Sequence, residues 1–157
     1  MLSSCAYGVR VALTAIRSMK TINHILLIDD NEADNDFHKI EIEKSGIAKQ
    51  VTGFSDTRLA LQYLKHCIET PQPLPDLIFL DILMPRKNGF ELLTEFKTLL
   101  AGKPDISKQV KIFILSGNYD PVMEIYLNSP NYDDLVLGYR LKPLTEKMLS
   151  EIVEKYF

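Results

Sequence analysis

Five short apolar runs recur along the chain, and a polar residue closes most of them. Continuous apolar runs of this length are typical of strands in a parallel sheet that is buried on both faces. The pattern predicts strands at about 24–29, 49–54, 76–81, 110–115 and 136–141.

Stretches with helical periodicity separate these runs. They predict helices near 32–45, 56–69, 88–101 and 120–128, and a last helix near 144–156. Gly46 is a plausible end for the first helix, and Asp56 or Thr57 is a plausible cap for the second. Asp120 is a plausible cap for the fourth helix, with Pro121 at its first position.

Alternation of strands and helices with short connections predicts an α/β fold. Five such units imply right-handed crossovers and a doubly wound, five-stranded parallel sheet in a single domain. Pro71, Pro73 and Pro75 predict a stiff loop before the third strand, and Gly102 and Pro104 predict a loop before the fourth. The pattern ends one helix after Lys142, so we expect no output domain beyond it.

The composition narrows the class of protein. At 157 residues the chain fits one domain, and its net charge of −3 argues against direct nucleic-acid binding. Two cysteines, Cys5 and Cys67, do not form a disulfide scaffold, which favours a cytoplasmic location. No apolar run reaches the roughly 18 residues of a membrane span, so no membrane association is expected.

Residues 1–18 differ from the rest because they contain Arg10 and Arg17 but no acid. We interpret them as an N-terminal extension, either a disordered or weakly helical tail or residues that precede a natural start at Met19. The domain itself is expected to span residues 19–157.

The polar residues at the strand ends form the candidate site. Carboxyl ends of parallel strands line one ligand crevice, so residues that are distant in sequence would meet there. Carboxylates suit a hard divalent cation, and a lysine suits a phosphoryl group. The converging residues are Asp29, Asp30, Asp81, Ser116 and Lys142.

From about residue 22 to residue 157 the chain resembles the receiver domain of bacterial two-component response regulators. Free-standing chemotaxis regulators are the nearest kind. The resemblance implies a flavodoxin-like sheet with strand order 2-1-3-4-5. It rests on Asp29-Asp30, Asp81-Ile82-Leu83-Met84-Pro85 with Asn88-Gly89, Leu115-Ser116-Gly117, Tyr139, and Leu141-Lys142-Pro143.

The resemblance also implies roles for these residues. Asp81 would accept a phosphoryl group from a sensor histidine kinase or a histidine phosphotransfer protein. Asp29, Asp30, Asp81 and the backbone carbonyl of Leu83 would hold Mg²⁺. Lys142 would neutralise phosphoryl charge, and its Lys–Pro peptide is often cis in the family.

Ser116 and Tyr139 would form the switch that changes partner binding. Ser116 also joins Asp81 and Lys142 in the expected catalytic set, whose activity is limited to self-phosphorylation and self-dephosphorylation. The protein is otherwise not expected to be an enzyme. The downstream protein target is unknown, and a homodimer on phosphorylation is a further expectation.

Two other functions compete with this interpretation. A haloacid-dehalogenase-like phosphotransferase would need an acid two residues after the nucleophile, where this chain has Leu83. A receiver-like binding module that is never phosphorylated stays as the alternative function.

Two loops are longer than is usual in the family, and four acids are expected to lie outside the site. Inserted residues lengthen the loops around 102–108 and 128–135, the second beside the usual partner face. Four other acids are expected on the solvated face of the first helix: Asp34, Asp36, Glu41 and Glu43.

Overall fold

The structure is a computed structural model that describes residues 20–84, 88–129 and 135–157. Its five strands form one parallel sheet in the order β2-β1-β3-β4-β5, which confirms the predicted fold and strand order. The predicted N-terminal extension lies outside the described residues, as does part of the loop at 128–135. The strands are β1 Ile22–Ile28, β2 Ala48–Phe54, β3 Leu77–Asp81, β4 Lys111–Ser116 and β5 Val136–Leu141.

Helices connect the strands as the periodicity predicts, with one addition. A short helix occupies the predicted loop before β4, where Pro104 provides its first residue. A helix of one turn has too few residues to show a periodic apolar face, so the sequence pattern gave no sign of it. The helices are α1 Glu32–Ser45, α2 Thr57–Glu69, α3 Gly89–Leu100, α4 Pro104–Ser107, α5 Pro121–Leu127 and α6 Glu146–Tyr156. In the part of the chain that the structure describes, none of them is long and apolar enough to cross a membrane.

Side-chain caps fix where the helices begin. The Asn31 side chain accepts hydrogen bonds from the amides of Ala33 (3.0 Å) and Asp34 (3.4 Å), and so holds the first turn of α1 directly after β1. Asp56 caps α2 by accepting from the Arg58 amide. Gly46 ends α1 in the left-handed region with φ of 68°, as expected from its position.

The sheet has an apolar core on each face. Alternate residues of β1 point to opposite layers, so that Leu26 and Ile28 join one core while Ile25 and Leu27 join the other. Helices α2 and α3 cover the first core, mainly through buried leucines and Phe96. Helices α1 and α6 cover the second core. The central strands are therefore buried on both faces, and polar side chains are left to the strand ends.

The pairing of β4 with β5 is irregular. Ile112 lies opposite Val136 but Phe113 lies opposite Gly138, so Leu137 is an extra residue in β5. Gly138 has φ of 154°, and a Cβ there would lie 3.5 Å from the Phe113 ring. That distance is an ordinary van der Waals contact, so the positive φ rather than lack of space favours glycine at this position. The Phe113 ring also packs edge to face with Tyr156 at a centroid distance of 5.5 Å.

Truncation of Leu64 tests the packing of the first core. Leu64 in α2 is fully buried, whereas Leu59 in the same helix is 52% exposed. We expect Leu64→Ala to lower the free energy of unfolding by about 2–5 kcal/mol, because it opens a cavity. Leu59→Ala should change it by no more than about 0.5 kcal/mol. Urea unfolding followed by circular dichroism measures both, and equal losses would contradict the assigned orientation of α2.

Candidate functional site

The candidate site lies at the carboxyl edge of the sheet. Asp29 follows β1, Asp81 ends β3, Ser116 ends β4 and Lys142 follows β5. Strand register brings these ends together, because Asp81 lies beside Leu115 and Ser116 lies beside Leu141. The strand pattern thus delivers residues from four separate segments to one place, as the sequence predicts.

Three carboxylates form the acidic part of the site. One oxygen each from Asp29, Asp30 and Asp81 lies within 4.8 Å of the others. Asp29 and Asp81 are buried, while Asp30 is exposed. Burial raises the pKa of Asp29, although hydrogen bonds from Lys142 and from the Asn31 amide oppose that rise. A set of close, partly exposed carboxylate oxygens suits a hard cation such as Mg²⁺.

The Lys142 ammonium lies among these carboxylates. Its Nζ donates to Oδ2 of Asp81 at 2.9 Å, to Oδ2 of Asp34 at 2.9 Å, and to Oδ2 of Asp29. Burial acts to lower the pKa of Lys142, but these hydrogen bonds outweigh it and the pKa is raised. The ammonium of Lys142 therefore offsets the negative charge of the cluster. The Lys142–Pro143 peptide bond is cis.

The predicted position of Asp34 is wrong. It was expected on the solvated face of α1 with Asp36, but its carboxylate reaches into the site and binds Lys142. The reason is position: Asp34 lies in the first turn of α1, and that turn begins at the carboxyl edge of the sheet. Helical periodicity identifies which residues face the core, and it gives no sign of a side chain that reaches along the helix end toward another strand.

Asn35 is a second residue that the sequence analysis missed. Its side-chain amide donates to the carbonyl oxygens of Asp29 (2.9 Å) and Phe54 (3.2 Å). It therefore ties α1 to the carboxyl ends of β1 and β2, and holds Asp29 at the end of its strand. The Asn35 Oδ1 atom is buried and has no hydrogen-bond partner among the described residues. A buried asparagine within an otherwise polar helix surface gives no distinctive pattern in sequence.

The loop after Asp81 orients its carboxylate. The Leu83 amide donates to Asp81 Oδ1 at 2.9 Å, so one oxygen is bound by the loop and the other by Lys142. The Leu83 side chain is 55% exposed. Gly89 begins α3 directly against this segment, since a Cβ at that position would lie 2.4 Å from the Asp81 carbonyl oxygen.

Ser116 ends β4, the strand next to that of Asp81, and Tyr139 lies in β5. The buried Ser116 hydroxyl donates to the Asn118 carbonyl at 2.9 Å, and the Ser116 carbonyl accepts from the Lys142 amide at 2.8 Å. Tyr139 in β5 is half-buried, and its ring centroid is 6.2 Å from that of Tyr119. The roles of both residues in a switch stay predictions.

The chain belongs to the response regulator receiver domain family, whose model matches residues 25–154. The assignment confirms the family resemblance and defines the protein as a receiver domain of two-component systems. Members of this family generally bind Mg²⁺ in an acidic pocket, and the cluster of Asp29, Asp30 and Asp81 fits such a pocket.

Two curated relatives are similar to most of the chain. Response regulator Rcp1 of Synechocystis sp. is 30% identical over 118 residues, which is 74% of this chain and 69% of the relative. The probable methanogenesis regulatory protein FilR2 of Methanothrix harundinacea is 26% identical over 133 residues, covering 83% of this chain and 79% of the relative.

Solved structures give the same fold. A two-component response regulator from Cytophaga hutchinsonii is 26% identical with a TM-score of 0.74, and the match covers 87% of this chain and 97% of that one. The chemotaxis protein CheY4 of Vibrio cholerae is 18% identical with a TM-score of 0.63, covering 87% and 100% of the two chains. The second comparison supports the fold alone.

Substitution of Gly89 tests the close contact between α3 and the Asp81 segment. A Cβ would meet two backbone atoms, the Asp81 oxygen at 2.4 Å and Ile82 Cα at 2.7 Å, so the backbone must move. We expect Gly89→Ala to lower the free energy of unfolding by about 1–3 kcal/mol and to shift the amide resonances of Asp81 and Leu83. Gly117→Ala is the control, because a Cβ there meets no described atom within 4 Å. Unchanged stability and spectra for Gly89→Ala would contradict the contact.

Proposed function

We propose that this chain is a response regulator that is controlled by phosphorylation of Asp81. The observation that carries the proposal is the environment of the Asp81 carboxylate. One oxygen accepts from a backbone amide and the other from Lys142, within a cluster of three acids. This arrangement leaves an oriented nucleophile beside a cation and a candidate metal site.

The proposed chemistry is a transfer from nitrogen to oxygen. A carboxylate oxygen of Asp81 attacks the phosphorus of a phosphohistidine, the P–N bond breaks, and the imidazole leaves with a proton. The product is an acyl phosphate on Asp81. The Leu83 amide orients the carboxylate, and the Lys142 ammonium is close enough to bind a phosphoryl oxygen.

Asp29, Asp30, Asp81 and the backbone carbonyl of Leu83 would hold Mg²⁺. The cation would neutralise the charge that develops on the phosphoryl oxygens. Hydrolysis of the acyl phosphate would return the chain to its starting state. The protein thus acts only on itself and is not an enzyme for an external substrate.

The phosphoryl donor would be a sensor histidine kinase or a histidine phosphotransfer protein. The downstream target would be a further protein. We place the reaction in the cytoplasm, where the buried free thiol of Cys67 would stay reduced. We do not expect direct nucleic-acid or membrane binding. Phosphorylation would change the surface near Tyr139, either for a protein target or for a second copy of the chain.

Phosphorylation of Asp81 is directly measurable. Incubation with Mg²⁺ and a small phosphodonor should add one phosphoryl group by intact mass, and the group should be labile to base. Asp81→Asn should abolish the addition, whereas Asp36→Asn, an exposed acid of α1, should retain it. Chelation of the metal should also abolish it.

Two results would count against this role for Asp81. Addition that persists in Asp81→Asn would assign the chemistry to another residue. Failure of the unmodified chain to accept phosphate from any donor would favour the alternative, a receiver-like module that binds proteins without phosphorylation.

The switch depends on the Ser116 hydroxyl. This hydroxyl now donates to the Asn118 carbonyl, and a phosphoryl oxygen on Asp81 would be a stronger, charged acceptor. Its inward movement would vacate space that the half-buried Tyr139 could fill. A ligand shifts such a two-state balance only through its differential affinity for the two states.

We therefore expect Ser116→Ala to keep phosphorylation but lose the propagated change. Amide spectra with and without beryllofluoride, a phosphoryl mimic, should show shifts across residues 116–141 in the unmodified chain and shifts confined to the Asp81 region in Ser116→Ala. Ser55→Ala is the control, since Ser55 is an exposed hydroxyl after β2 at the same edge of the sheet. Propagation that survives in Ser116→Ala would remove Ser116 from the switch.

A further inference from the structure

Lys142 has a third carboxylate partner that the proposed phosphorylation chemistry does not use. A lysine ammonium has three donors, and Lys142 gives one each to Asp29, Asp34 and Asp81. Asp29 and Asp81 belong to the candidate cation site, while Asp34 comes from α1 and lies outside that group of acids. The ammonium is therefore shared between the cation site and a separate acid.

A bound cation would compete with Lys142 for the same carboxylates. The ammonium occupies Oδ2 of Asp29 and Oδ2 of Asp81. Metal ligation of these acids would displace the ammonium, at least in part, and an ammonium that is only 14% exposed loses much if it is left without a partner. The free energy of cation binding therefore depends on what else can hold Lys142.

Asp34 is suited to hold it. The Asp34 side chain is 38% exposed, whereas those of Asp29 and Asp81 are 4% and 8% exposed. The desolvation cost of a charged carboxylate is therefore smaller at Asp34 than at the two buried acids. Its backbone is fixed by the Asn31 cap and by the neighbouring Asn35, which donates to the ends of β1 and β2. These contacts hold the backbone of Asp34 where its carboxylate reaches Lys142.

His38, one turn further along α1, does not compete for Asp34 as a cation. Burial lowers its pKa, Asp34 acts to raise it, and Lys142 acts to lower it, with a net decrease. The imidazole is therefore neutral at neutral pH. Lys142 is the cation that Asp34 holds.

We propose that Asp34 is a positioning residue that retains the Lys142 ammonium when a divalent cation takes over Asp29 and Asp81. The proposal rests on the proposed function, since it assumes that the acidic cluster binds Mg²⁺. Asp34 keeps the ammonium beside Asp81, where a phosphoryl oxygen would need it, and reduces its competition with the metal. The chain thereby holds two cations near one aspartate.

The first test is Mg²⁺ affinity, measured by titration of the backbone amide resonances of Asp29, Asp30 and Leu83. We expect Asp34→Asn to weaken the apparent affinity about three- to tenfold, the size of a partly exposed ion pair, because Lys142 would then compete more strongly for Asp29 and Asp81. Asp36→Asn removes the same charge from an exposed site on the same helix, and should change the affinity by less than about twofold. Asp34→Glu should restore most of the affinity of the unmodified chain.

The second test separates positioning from a general charge effect by using Lys142→Met. If Asp34 acts through Lys142, then Asp34→Asn costs less Mg²⁺ affinity in the Lys142→Met background than in the unmodified chain. Equal costs in both backgrounds would overturn the proposal, because they would show a charge acting directly on the metal. If Lys142→Met does not fold, Lys142→Gln serves as the second background, because it also removes the ammonium and leaves the same comparison.

The outcomes also distinguish this inference from the proposed function. Absence of Mg²⁺ binding by the unmodified chain would refute the proposed metal site itself. Normal Mg²⁺ binding by the unmodified chain and equal binding by Asp34→Asn would refute only the role of Asp34.

Discussion

Burial of like charges at one edge of a parallel sheet is the constraint on which the site depends. Asp29 and Asp81 end neighbouring strands, and both are nearly excluded from solvent. A buried charge that loses its partner costs several kcal/mol, so two carboxylates need a compensating cation nearby. Lys142 provides it from the end of β5, and the strand order β2-β1-β3-β4-β5 places that residue across the crevice from Asp29.

The surrounding structure holds these charges in place through backbone contacts. Asn35 fixes the end of β1 by bonding to the Asp29 carbonyl, and the Leu83 amide fixes one oxygen of Asp81. Gly89 allows the start of α3 to approach the Asp81 backbone, and the Lys142 amide bonds to the Ser116 carbonyl. Asp29, Asp81 and Lys142 are thus each held by at least one contact beyond their own strand.

The sequence was sufficient to predict the sheet, the five longer helices and the convergence of Asp29, Asp30, Asp81 and Lys142. These features follow from short continuous apolar runs, from helical periodicity and from the rule that parallel strands end at one edge. The short helix Pro104–Ser107 was missed, because one turn contains no periodic pattern. Strand bounds shifted by at most two residues, as in β1, where Ile22 already pairs with Ala48.

Asp34 and Asn35 show why part of the site could not be predicted. Both lie near the start of α1. The inward face of this helix is formed by Asn35, His38 and Ile42, and because two of these three residues are polar, the sequence resembles that of a solvated surface. The contact between Asp34 and Lys142 joins residues that are 108 positions apart, and it depends on side-chain reach rather than on strand register. Apolar patterns locate elements, whereas such contacts appear only when the elements are assembled.

The extra residue in β5 has a consequence for how the molecule meets other chains. As the last strand of the sheet, β5 would offer an unbroken row of backbone donors and acceptors to any extended peptide if its pairing were regular. The bulge at Leu137 and the unusual backbone of Gly138 interrupt that row and twist the margin of the sheet. Intermolecular strand addition, with its attendant risk of fibrous aggregation, is therefore disfavoured on this side, and recognition there must rely on the side chains.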